Sequence, residues 1–289
     1  MGISPWVWWA DVVPDKKENV TIMTDEKVHA PSVQYRGIFL NDEDWALMPW
    51  STRTFEPTPV KGAIGPKTYA KICELLLRLR ANTLWPAMHE CTVPFYFTEG
   101  NKDVSDKYGI IMGTSHCEPM MRTNTGEWDN AKYGSYNFLT NRENVLSYWN
   151  ERLADVSKTE NIFTMGMRGI HDGRMQGVKT IEDEAKILQE VINAQRELLK
   201  NSGKGDVSSI PQAFIPYKEV LKAYDAGVEL PEDITLVWCD DNHGYIMRLS
   251  DPEEQKRSGG GGVYYHVSYW GKPSRLSMAG FHSTSFNLH

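Results

Sequence analysis

The sequence predicts an α/β fold, a (β/α)8 barrel of the TIM type that is incomplete at its C-terminal end. Three observations predict it. Short apolar runs alternate with amphipathic stretches from Pro31 onward, the order that parallel βαβ units produce. Seven such runs occur, and each ends in polar, charged or aromatic side chains. The 289 residues suit one barrel, and 40% hydrophobic with 24% charged residues supply a sizeable core.

Residues 1–30 are Trp-rich with no period and are read as a connector from a preceding domain. The barrel is assigned to residues 31–273. "VQYRGIFLND" is its first strand, and "IGPKTYAKICELLLRLRA" a helix with Tyr69, Ile72, Leu75, Leu76 and Leu79 at helical spacing. "NTLWPAMHE" and "GIIMGTSH" are the second and third strands. Arg142 to Lys158 reads as a helix with Asn141 as its N-cap. The fourth strand is "TMGMRGIHDGRM". A long helix follows, capped by Thr180 with Glu182 and Asp183 in its first turn. "PQAFIPYKE" is the fifth strand, and its helix stops at Gly227. "DITLVWCDDNHG" and "GGVYYHVSYWG" are the sixth and seventh strands, with Gly259 to Gly262 read as a flexible hinge.

A formal net charge of −7 argues against a general nucleic-acid binder. No apolar run reaches transmembrane length, and Met1 does not open a signal peptide. Cys73, Cys91, Cys117 and Cys239 form no CxxC pair and no zinc-ligand spacing, so they read as separate thiols. Ten Trp and thirteen Tyr suit a sugar-binding pocket as well as a core.

Barrel sites lie at the C-terminal strand ends. Those ends carry Asn41 and Asp42; Trp85, His89 and Glu90; His116 and Glu118; Arg168, His171 and Asp172; Tyr217 and Glu219; Asp240, Asp241, Asn242 and His243; and Tyr264, His266 and Tyr269. Asp172 and Glu219, on different strands, are the pair that could flank a glycosidic bond, one giving a proton and the other acting as base or nucleophile. Arg168 suits an anionic group such as a sugar carboxylate. Plainer readings stand beside these: Asp172 in an Asx-turn, Glu219 serving a helix dipole, Arg168 pairing with Asp172 or Glu182. A metal-dependent barrel hydrolase is the chemical rival, but the first strand ends in "FLND" without the HxH such sites use.

Eight motifs occur in order: "SPWVWWADV", "RGIFLNDED", "NTLWPAMHE", "MGTSHCEPM", "MRGIHDG", "IPYKEV", "WCDDNHGYIMR" and "GGVYYHVSYWG". This series resembles glycoside hydrolase family 115, the xylan α-1,2-glucuronidases, from about Ser4 to Pro273. The resemblance implies a (β/α)8 catalytic domain and inverting release of glucuronic or 4-O-methylglucuronic acid from xylan or xylo-oligosaccharides. It implies no metal or organic cofactor in the chemistry. Asp172 and Glu219 match the family's catalytic carboxylates, their individual roles left open. Asn41, Trp85, His116, Arg168, Tyr217, Asn242, Tyr264, His266 and Tyr269 match uronate-pocket positions. Glu90 is a third acid candidate, and His171 shapes the pocket. Family members are longer, so the chain reads as a fragment; a full-length form is expected to be secreted or periplasmic and possible as a homodimer.

After "YWGKP" the family continues His-Asp-Tyr-Leu-Trp-Leu, whereas this chain reads "SRLSMAGFHST". With suitable codons, one extra base at the Ser274 codon would convert the first run into the second. Residues 274–289 are therefore expected to be a frameshifted tail with no native strand–helix pair. A barrel lacking that unit leaves two sheet edges unpaired. The expected outcome is an aggregation-prone chain that is weakly active or only binds uronic-acid sugars.

Overall fold

The structure, a computed structural model, describes Ser4, Val7, Trp9, residues 14–41, 43–241 and 244–267, and the backbone of 283–288. Its strands are β1 (Tyr35–Leu40), β2 (Thr83–Trp85), β3 (Ile111–Met112), β4 (Phe163–Met165), β5 (Gln212–Phe214), β6 (Thr235–Cys239), β7 (Gly261–His266) and β8 (Ser283–Leu288). They form one sheet in the order β3-β2-β1-β8-β7-β6-β5-β4. All pairings among β1 to β7 are parallel. β8 runs antiparallel to both β1 and β7. No ladder joins the outermost strands, β3 and β4; a single parallel bridge, Met112 to Asn161, links that side. The fold class is thus α/β with a mainly parallel sheet, and its ladders do not close into the expected ring.

Strand side chains alternate between two faces, as the pleat requires. Leu84, Phe214, Leu236 and Trp238 join one core cluster. Their neighbours Trp85, Ala213, Ile215 and Val237 join another, with Phe39 and Tyr264. Burial on both faces explains why these strands read as continuous apolar runs.

The helices are α1 (Leu47–Trp50), α2 (Pro66–Arg78), α3 (Asn101–Lys107), α4 (Asn124–Glu127), α5 (Asn130–Tyr133), α6 (Arg142–Asp155), α7 (Ile181–Lys200) and α8 (Glu219–Asp225). α2 starts with proline at its first position, where no amide bond is lost. It buries Tyr69, Ile72, Leu75 and Leu76, while Leu79 lies half outside beyond its end. In α7 the Thr180 hydroxyl accepts from the Asp183 amide at 3.1 Å. Leu188, Val191, Ile192 and Leu199 of α7 are fully buried in the first cluster, each worth about 1.5–3 kcal/mol of apolar burial. α8 ends just before Gly227, whose φ of +115° favours glycine. No described helix is long and apolar enough to cross a membrane.

Three expectations need correction. Asn141 does not cap α6 with its side chain; its carboxamide donates to the carbonyls of Tyr133 and Ser135. Gly259 to Gly262 are not a hinge: Gly261 and Gly262 pair with Leu236 and Val237, and a Cβ on Gly259 would sit 2.5 Å from the Ile234 carbonyl carbon. The edges of β1 and β7 are not left bare, because β8 pairs with both, although against their direction. The rest of the tail, residues 274–282 and 289, lies outside the described residues.

Candidate active site

β4 delivers the first half of the site. Just past its end, Gly166 is clamped by the buried Gln195 of α7, which accepts from the Gly166 amide and donates to its carbonyl, both at 2.8 Å. The next residues wind into a tight loop in which the Gly169 amide donates to the Gly173 carbonyl at 2.9 Å. His171 sits at φ 56°, and its Nδ1 accepts from the Asp172 amide at 2.8 Å. The winding folds Asp172 back onto Arg168, four residues earlier.

β5 delivers the second half. Lys218 takes φ 53° and ψ −119°, an uncommon conformation for a side-chain-bearing residue, and Glu219 opens α8 directly after it. Glu219 Oε1 accepts from Arg168 Nε at 2.9 Å and lies 2.8 Å from Nη2. Asp172 Oδ1 accepts from Arg168 Nη1 on the other edge of the guanidinium. Asp172 also receives His116 Nε2 at 3.0 Å and Lys218 Nζ. Arg168 is 2% exposed and Glu219 is buried, whereas the Asp172 side chain remains 34% exposed.

The electrostatics follow. Burial works against ionisation of Asp172, but His116, Lys218 and Arg168 outweigh it and hold the carboxyl well below its usual 3.8. Burial, with the two cations, pushes His116 below 6.5 despite the opposing Asp172 bond. A neutral His116 that donates through Nε2 leaves Nδ1 as a buried acceptor with no hydrogen-bond partner among the described residues.

Aromatic rings wall this group. Tyr217 and His116 centroids are 4.2 Å apart, Tyr264 lies 5.5 Å from Trp85, and His266 packs on Tyr264 at 4.9 Å. His266 Nδ1 bonds the buried Asp240 carboxylate at 2.6 Å, which fixes the ring. Asn41 joins through His89: its Oδ1 is 2.8 Å from His89 Nε2, and the His89 ring stacks on His171 at 5.9 Å.

The structure therefore brings together Asp172, Glu219, Arg168, His116, His171, Tyr217, Trp85, Tyr264 and His266, with Asn41 at the margin. It leaves Glu90 exposed, and no hydrogen bond ties that residue to the Arg168 group. Asn242 and Tyr269 lie outside the described residues. Lys218 was missed by sequence reasoning although it stands between two selected residues in "IPYKE"; its role comes from a backbone angle. Asp240 and His89 were read at strand ends but not selected, because only their partners give them a function. Two surface clefts lie elsewhere, one lined by Ala185, Gln189 and Gly227 and one by Tyr96, Lys102 and Glu160, and neither includes a residue of the Arg168 group.

The solved structure of a family GH115 4-O-methyl-alpha-glucuronidase, described as having specificity for decorated arabinogalactans, superposes with a TM-score of 0.89 at 56% identity. The match covers 94% of this chain and 36% of that one, so this chain spans about a third of that relative. A search among curated proteins returned no match. The family model described as glycosyl hydrolase family 115 matches residues 28–286. On these two matches the chain belongs to glycosyl hydrolase family 115.

Proposed function

We propose that this chain carries the catalytic site of an α-glucuronidase that releases glucuronic or 4-O-methylglucuronic acid from a decorated plant polysaccharide. The observation that carries the reading is one guanidinium, Arg168, holding two carboxylates on its opposite edges, with only Asp172 open to solvent. An inverting hydrolase needs two carboxyls held apart with room for water, roughly 6.5–9.5 Å between them. Asp172, kept ionised by its three cationic or N–H partners, is assigned as the base that takes a proton from the attacking water. Glu219, the more buried of the two carboxyls, is assigned as the acid that protonates the leaving oxygen. Lys218, exposed beside Asp172, is the cation that draws in the uronate carboxylate. Tyr217, Tyr264 and Trp85 form a buried aromatic floor beneath these charges.

The reading includes a (β/α)8 barrel as the scaffold. Helices cover one face of the sheet, while the other buries its own side chains against one another, which suits a sheet curled on itself. The relative's specificity supports arabinogalactan decoration as much as the xylan expected from the motifs. A polymeric substrate supports action outside the cytoplasm, and a homodimer is part of the same proposal.

The test is release of uronic acid from glucuronoxylan and from glucuronidated arabinogalactan, with the product anomer followed by NMR. Release of the β-anomer from an α-linked substrate is expected. No release by folded protein, or a retained anomer, overturns the activity or the mechanism respectively. The antiparallel course of β8 favours a second reading, a barrel that binds without hydrolysis. Calorimetric uronate binding with no turnover would select it.

A further inference from the structure

The loop after β1 and the turn after β2 meet in a second polar cluster, made of Glu43, Asp44 and His89. One carboxylate oxygen from each acid and one imidazole nitrogen lie within 4.8 Å of one another. His89 Nδ1 stands 3.0 Å from Asp44 Oδ1 and 3.9 Å from Glu43 Oε2. A divalent ion with bonds of about 2.1 Å separates neighbouring ligand atoms by roughly 3–3.6 Å.

An acidic cluster alone carries little weight; the condition of Glu43 is what adds to it. Its side chain is buried, at 3% residue exposure. Oε1 is fixed by the His89 amide and the Thr92 hydroxyl, both at 2.8 Å. Oε2 is buried, turned toward His89, and has no hydrogen-bond partner among the described residues. An unmet buried carboxylate oxygen costs stability unless something positive completes it. The outer contacts are also those of a metal ligand. Histidines that bind metal through one nitrogen donate the other to an oxygen, and His89 Nε2 faces Asn41 Oδ1 at 2.8 Å. The Glu43 carboxylate is itself held through its other oxygen, as ligating carboxylates are. Solvent reaches the cluster through Asp44, whose side chain is 42% exposed.

We propose that Glu43 Oε2, Asp44 and His89 Nδ1 form a divalent cation site that locks the β1 and β2 loops together and fixes the Asn41 carboxamide at the pocket margin. Two carboxylates and one imidazole select Mn²⁺ or Zn²⁺ over Ca²⁺ and Mg²⁺, which prefer all-oxygen shells. The ion stands outside the Arg168 group and takes no part in the hydrolysis proposed above.

The probe is MnCl₂, then ZnCl₂, titrated into the metal-stripped chain, followed by calorimetry and by elemental analysis after desalting. One ion per chain is expected, with a rise in melting temperature. Glu43→Gln, His89→Ala and Asp44→Asn should each weaken binding about tenfold or more. Absence of stoichiometric binding overturns the proposal, as does binding unchanged in the variants or tighter binding of CaCl₂. If Glu43→Gln fails to fold, the Asp44→Asn variant decides, because its carboxylate is half exposed. Binding is read without turnover, so a failed glucuronidase assay leaves this test intact.

Discussion

Two arginine–carboxylate groups in this protein use the same chemistry to different ends. Near α4, Glu127 stands between two arginines: its Oε2 takes Arg122 at 2.6 Å and Arg152 at 2.7 Å, and its Oε1 takes the Thr123 amide at 3.0 Å. Tyr148 and Tyr96 cover the two guanidiniums. All three charged side chains are at most 6% exposed. At the strand ends the stoichiometry inverts, with Arg168 between Asp172 and Glu219. There one carboxylate opens to solvent, and the flanking backbone at His171 and Lys218 takes positive φ. In the closed group Glu127 has both oxygens occupied and none exposed, and its arginines are shared further with the partly exposed Glu151 and Asp155. The open group keeps a charged oxygen, a lysine and a strained loop at the surface, the features of a site whose groups are held for a task. Exposure, more than residue type or backbone strain, separates the two, since Met120 and Met121 beside Arg122 also take positive φ.

The sharpest way to break this contrast is to remove the shared carboxylate of the closed group. Glu127→Ala should lower the unfolding free energy by about 3–5 kcal/mol, since two buried guanidiniums lose their one buried counter-charge and keep only the partly exposed Glu151 and Asp155. Chemical denaturation measures it, and a loss no larger than that of Asp172→Asn would erase the distinction. The matching change in the open group should strike activity. Asp172→Asn and Glu219→Gln should each reduce turnover about 100- to 10,000-fold, the range of acid–base catalysis. An activated aryl α-glucuronide sharpens the role assignment: it needs no proton donor, so it should restore Glu219→Gln far more than Asp172→Asn.

Smaller effects follow from the strained lysine. Lys218→Gly should stabilise the fold by up to about 1 kcal/mol, as φ 53° with ψ −119° suits glycine better. It should lower turnover at the same time, because Asp172 loses a partner. Thermal melts with parallel kinetics read both; a variant that is less stable would count against strain at this position.

The pH response should be the smallest and should differ in sign between the two regions. Asp172 is depressed in the fold, so its contribution is complete above the usual 3.8 and is lost as pH falls through the folded value. Glu118 lies beside the closed group and accepts from the Asn124 amide at 3.1 Å. Burial, and next the Glu127 charge, raise its carboxyl well above 4.5. The stability it lends is complete below 4.5 and is lost as pH rises toward that raised value. Melting temperature against pH should therefore flatten on the acid side in Asp172→Asn and above pH 4.5 in Glu118→Gln. The opposite pattern would reverse the two assignments.

Much of the fold was legible because its signals are local. Leu188, Val191 and Ile192 mark one face of α7 by spacing alone, and Thr180 marks its start by a hydroxyl three residues before the amide it bonds. Strand ends were legible as points where apolar runs break, and they yielded Arg168, Asp172 and Glu219 together. What failed depended on distant contacts. Asn141 has the chemistry of a cap, yet the carbonyls of Tyr133 and Ser135 claim its amide. Gly259 has the composition of a hinge, yet the backbone at Asp233 and Ile234 presses against it.

By itself, then, the sequence determined the alternation of elements, the helix caps that are truly local, and the set of polar groups delivered to one end of the sheet. Periodicity and capping are written within a few residues of where they act. Only the tertiary structure decided that Arg168 joins Asp172 to Glu219, that Lys218 turns onto Asp172, and that Glu90 stays outside. It also decided that β8 enters the sheet against the direction of its neighbours. Those outcomes depend on which loops cross at the strand ends and which backbone groups are left to pair, and both are set by packing between residues far apart in the chain.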